Sequence, residues 1–124
     1  MALKILRVEN GDTPNEEKVW IEATTAMNTK GFAIVDRTFG EDGKVSNEFR
    51  HIYILPNINL AINQKAVIYT GKGKNEEKTY NNSSDKYYAL YWGADHCVWN
   101  NKGGDTASLI SFAAVGSVKV PAVK

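Results

Sequence analysis

The chain has 124 residues, a formal net charge of +1, 43% hydrophobic and 23% charged residues. That length gives one domain, residues 1–124, able to bury about two-thirds of its unfolded surface. The near-zero charge excludes a global field that would recruit nucleic acid or an anionic membrane, and no apolar run approaches the roughly 20 residues of a membrane-spanning helix.

Along the chain, every predicted element is a strand. Leu3–Glu9 alternates loosely and predicts a first or edge strand. Residues 10–15, Asn-Gly-Asp-Thr-Pro-Asn, form a loop by composition. In Lys18–Ala23, Val19, Ile21 and Ala23 alternate with Trp20 and Glu22, the pattern of a half-buried strand. Phe32, Ile34 and Val35 predict the next strand, and Asp42-Gly43 a hairpin turn after it. His51, Tyr53 and Leu55 alternate with Ile52 and Ile54, so both faces of that strand should be partly covered. Pro56 ends it, having no N–H to donate. Residues 66–70 read as a short core strand, and residues 72–86, polar and of mixed charge, as the main loop. Residues 87–92 are aromatic and β-prone. Trp99 then leads into Asn100-Asn101-Lys102-Gly103-Gly104-Asp105, whose residues tolerate positive φ and bond their own backbone, predicting a tight turn. Residues 107–112 and 117–120 predict a closing hairpin around Gly116. No helix-period segment and no internal repeat appears. Strands spaced about 10 to 15 residues apart, with turn residues between, predict an all-β sandwich.

Residue chemistry points away from catalysis. His96-Cys97 invites a metal or nucleophile reading, but neighbours on a strand point to opposite faces. His51 is the only other histidine, and no known metal-ligand spacing is present. A structural role is expected for both, with Cys97 a small buried hydrophobe or a quiet thiol. Asp36, Asp42, Glu48 and Asp105 are expected in turns, Asp105 bonding turn amides rather than calcium. Nothing selects a carboxylate pair for hydrolysis. No catalytic residue, metal or cofactor is assigned.

Two features carry binding readings. Lys72, Lys74 and Lys102 make a local basic cluster if their two turns converge, although Glu76 and Glu77 partly cancel it. The competing reading is a solvated connection. Trp20, Trp92 and Trp99 are either core and rim packing or part of an aromatic platform for sugar or peptide with Tyr87, Tyr88 and Tyr91. Alternation along the strand must expose some of these rings, and an exposed aromatic cluster marks a contact surface. Tyr88 and Trp92 join the three lysines as binding candidates.

Several segments carry a family resemblance. In order they are Val19-Trp20-Ile21-Glu22-Ala23, Gly31-Phe32-Ala33-Ile34-Val35-Asp36, Tyr69-Thr70-Gly71-Lys72-Gly73, Leu90-Tyr91-Trp92-Gly93 and the run from Val98 to Leu109. Together they resemble the lamin-tail domain, in its bacterial form, over about residues 3 to 120. The chain departs from that pattern with Phe32 where Trp is usual and with an extra glycine in Gly103-Gly104-Asp105. The resemblance implies an immunoglobulin-like antiparallel β-sandwich acting as a non-catalytic protein-interaction, assembly or targeting module. A nucleic-acid- or glycan-binding module is the alternative, and a small hydrolase a third. The expected partner is another protein, and a homo-oligomer is compatible with the reading. One cysteine, no internal disulfide and no signal-peptide stretch at the start give a cytoplasmic expectation. A domain excised from a longer chain would instead be secreted.

Overall fold

A computed structural model describes residues 2–39, 45–80, 85–99 and 106–123, without the side chains of 37–39 and 45–50. Ten strands and no helix occur among them: β1 (Leu3–Glu9), β2 (Lys18–Ala23), β3 (Met27–Asn28), β4 (Phe32–Phe39), β5 (Val45–Ile54), β6 (Asn59–Leu60), β7 (Lys65–Tyr69), β8 (Glu76–Thr79), β9 (Lys86–Tyr91) and β10 (Thr106–Ser111). The fold is all-β. Its larger sheet runs β1-β2-β7-β9-β8, a second runs β10-β4-β5, and β3 pairs with β6.

Both large sheets fill one core. Leu3, Val19, Ile21, Ala66, Ile68 and Leu90 come from the larger sheet, and Ile34, with the partly buried Leu109, from the smaller. Alternation places these residues on one face of each strand. Trp99 joins them at 5% exposure, the core-packing side of the two readings open to it.

The expected antiparallel pairing fails at one place: β7 and β9 run parallel. The chain leaves β7, crosses the end of the sheet and returns as β8, antiparallel to β9. β9 then occupies the slot between β7 and β8. The predicted main loop thus contains a strand, Glu-Glu-Lys-Thr, whose composition is poor for β structure. Pairing with β9 supplies what local propensity does not. The loop before it needs its glycines: a Cβ on Gly71 would lie 1.8 Å from Asn15 Oδ1, and one on Gly73 2.5 Å from the Tyr91 ring.

Three further expectations are corrected. Residues 117–120 form no strand beside β10, and Val118 and Val120 stay exposed. Valine content favours extended backbone, but a strand also needs a partner edge. Ile52 and Ile54 of β5 are 48% and 60% exposed rather than covered. His96 and Cys97 lie outside any strand, so strand alternation does not apply to them. The predicted turns at 41–44 and 100–105, with Asp105, lie outside the described residues.

One polar side chain ties three segments together. Glu17 is fully buried. Its backbone carbonyl accepts from the Thr70 N–H at 3.0 Å. Its Oε1 accepts from the Thr70 hydroxyl at 2.9 Å and from the Val98 N–H at 2.6 Å. Around it Gly71 N–H donates to the Pro14 carbonyl, Gly93 N–H to that of Gly71, and Ala94 N–H to that of Thr70. Bonds to a buried charged acceptor are worth roughly 1.5–3 kcal/mol each, and an orphaned donor carries a desolvation cost. Glu17→Ala should therefore destabilise the protein by about 3 kcal/mol, read as a lower urea midpoint, and Glu17→Gln by less. A Glu17→Ala loss below about 1 kcal/mol would show that the carboxylate is not holding these segments.

Candidate interaction face

The outer face of the larger sheet gathers aromatic and cationic side chains from four strands. Register places Arg7 opposite Trp20, Trp20 opposite Val67, and Val67 opposite Ala89. The next row places Lys18 opposite Tyr69 and Tyr69 opposite Tyr91. Val67 and Ala89 are fully buried although they sit on the outer face, in the row that runs from Trp20 to Glu76. Trp20 and Tyr87 lie 5.8 Å apart, Tyr87 and Tyr80 4.7 Å. Tyr69 and Tyr91 stack at 5.1 Å with an interplanar angle of 18°. Separations of this order are the favourable range for aromatic pairs.

Cations sit over two of these rings. The Arg7 guanidinium is 5.0 Å from the Trp20 centroid, and Lys18 Nζ 5.7 Å from that of Tyr69. Glu9 orients the first pair: it accepts from Trp20 Nε1–H at 2.8 Å and lies 3.5 Å from Arg7 Nε. Burial raises the Tyr69 phenol above its ordinary range, with Tyr87 and Tyr91 adding to the effect. At the rim Glu22 receives Lys65 at 3.1 Å and Lys4 at 3.6 Å, and the Lys65 hydrogen bond leads the causes that hold its carboxyl low. The aromatic position of residues 87–92 was legible in the sequence. Trp20 was already a platform candidate beside Tyr87 and Tyr91, whereas Tyr69 and Tyr80 joined them only through the pairing of distant strands.

The sequence-derived candidates fall elsewhere. Tyr88 and Trp92 point inward and pack against the core. Trp92 lies 5.9 Å from Trp99, edge-on, and 5.6 Å from Tyr53. Tyr88 also lines a shallow cleft with Pro56, Ile58, Asn75, Glu76, Glu77 and Leu90. Lys72 is paired with Asp95 at 2.7 Å, both largely exposed. That hydrogen bond raises the Lys72 amine and lowers the Asp95 carboxyl, but an exposed pair of this kind contributes little to stability. Lys74 is exposed. Lys102, the third member of the expected lysine cluster, lies outside the described residues.

Asp36, expected in a turn, is buried within β4, where Oδ2 lies 3.0 Å from His51 Nδ1. His51 meets His96 edge-on at 5.9 Å. No group of three His, Cys, Asp or Glu among the described residues could hold a metal ion. Cys97 Sγ lies 3.6 Å from the Gly11 carbonyl. The chain matches no protein-family model, no curated protein and no solved structure.

Tyr53, packed beside Trp92, offers a titration test of this interior. Burial pushes its phenol up to about 12 against an ordinary 10.0, with a hydrogen bond to Asn75 acting the other way. The folded state thus favours the neutral phenol. Its contribution is complete below pH 10 and is lost as pH rises towards about 12, because the unfolded chain ionises first. Stability measured by urea denaturation should fall over that window, and Tyr53→Phe should flatten the fall. Equal slopes in both proteins would place the phenol in water.

Proposed function

We propose that this chain is a non-catalytic protein-interaction module, an immunoglobulin-like β-sandwich of the lamin-tail type in its bacterial form. The fold reading is supported by two sheets sharing one core. It is also supported by the convergence of Tyr69-Thr70-Gly71, Trp92-Gly93 and Val98-Trp99, the segments that carry the resemblance, around Glu17. The observation that carries the functional reading is the outer face of Arg7, Trp20, Tyr69, Tyr80, Tyr87 and Tyr91. Tyr, Trp and Arg are the residues enriched where protein partners bind most strongly. The surrounding Lys4, Glu22, Lys65 and Lys78 make the polar rim that such a patch requires.

Glycan binding is less well served by this face. Sugars stack on open ring faces, whereas Arg7 covers Trp20, Lys18 covers Tyr69, and Tyr69 and Tyr91 stack on each other. Nucleic acid is less well served by a chain of net charge +1 whose Lys72 is paired with Asp95.

The test is a Tyr87→Ser/Tyr91→Ser variant with unchanged circular dichroism. A protein partner captured by the wild-type chain should bind it at least about thirty-fold more weakly, the effect of about 2 kcal/mol at a binding hot spot. A glycan or duplex DNA held below roughly 10 μM at physiological salt, with no protein captured, would replace the reading. Unchanged capture by the variant would move the contact off this face.

A further inference from the structure

The opposite side of the molecule carries a separate apolar device. β10 and β5 are both edges of the smaller sheet. On its outer face Ala33 and Val35 are fully buried between strands, while Ile52 and Ile54 of β5 stand exposed beside the free edge. After β10 the chain makes one more backbone hydrogen bond, Phe112 N–H to the Gly31 carbonyl at 2.8 Å. Among the described residues none follows.

Residues 113–123 then have no regular secondary structure and are exposed throughout. Val115, Val118, Val120 and Val123 are between 82% and 103% exposed. Within residues 117–120 alternation puts Val118 and Val120 on one side and Ser117 and Lys119 on the other, the pattern of a short strand with one covered face, while Val115, Pro121 and Val123 fall on the side of Ser117 and Lys119. Gly116 does not adopt positive φ, and nothing lies within 4 Å of its Cβ position, so the segment leaves its own sheet instead of turning back on it. A valine-rich segment with no sheet and a free sheet edge with exposed isoleucines are complementary halves of one contact.

We propose that residues 113–123 of one copy add as a strand to the free edge of β5 in a second copy, with Val118 and Val120 covering Ile52 and Ile54. The lengths agree: an extended segment of that size reaches roughly 35 Å, about the span of the ten residues of β5. Backbone N–H and C=O groups along the edge supply affinity, and the apolar pairs fix register. Exchange in both directions gives a closed two-fold dimer rather than a filament. The contact is independent of the aromatic face, which lies on the other sheet.

Sedimentation equilibrium of the full chain tests this directly. A monomer–dimer equilibrium is expected, weakened at least tenfold by Val118→Lys/Val120→Lys and equally by Ile54→Lys, while Tyr87→Ser/Tyr91→Ser leaves it unchanged. All the replaced side chains on this side are exposed, and circular dichroism checks that each variant folds. In a Cys97→Ser background, mixed Val120→Cys and Ile54→Cys chains should form a mutual disulfide. A monomer at every concentration, a dimer indifferent to both lysine variants, or a disulfide closing only within one chain that carries both cysteines would each overturn the proposal.

Discussion

The fold depends on a buried carboxylate. Glu17 sits just before β2 and binds, through one oxygen, a hydroxyl from the end of β7 and an amide from the segment that leads to Trp99. These three pieces of chain are far apart in sequence, the two side-chain contacts spanning 53 and 81 residues. A carboxylate removed from water is costly unless it is satisfied, so its partners cannot drift. Among the described residues its second oxygen has no hydrogen-bond partner, and the restraint runs through Oε1. Thr29 plays a smaller part elsewhere: its buried hydroxyl donates to the Pro56 carbonyl and accepts from the Ile58 N–H at 3.1 Å. That contact ties the start of β4 to the chain just after β5.

The aromatic face inherits its geometry from that restraint. Thr70 follows Tyr69, and Trp92 follows Tyr91, so the stacked Tyr69–Tyr91 pair ends directly at the Glu17 cluster. Gly73 passes beside Tyr91, and Asn75 Oδ1 accepts the Tyr91 N–H at 2.9 Å. The rings are thus set by the β7–β9 pairing and by the 71–75 loop that passes beside Tyr91. Rigid aromatic groups lose little entropy when a partner covers them, which is the physical basis for assigning the contact to this face.

The sequence showed the strand content well because alternation is a local signal. Leu3–Glu9 and Lys18–Ala23 were read with the bounds the structure gives them. What failed was non-local. β8 has no β-forming composition and exists because β9 offers it an edge. Residues 117–120 have the composition and no edge. The parallel β7–β9 pair follows from where the chain crosses, which no residue pattern encodes. Within the site, neighbours on β9 were known to point in opposite directions, but not which way. Tyr88 and Trp92 turned inward, and Tyr87 and Tyr91 outward. Glu17 gave no signal at all: in sequence it is one of two adjacent glutamates after a polar loop, and only its burial separates it from Glu16.

The claim that Glu17 holds a distant loop into the core is tested most directly by native-state hydrogen exchange at the Val98 amide. The account predicts exchange only through global unfolding, with protection equal to that of core strand amides such as Val19 and Ile68. Exchange of the Val98 amide at the rate of an open loop, while those strand amides stay protected, would contradict it.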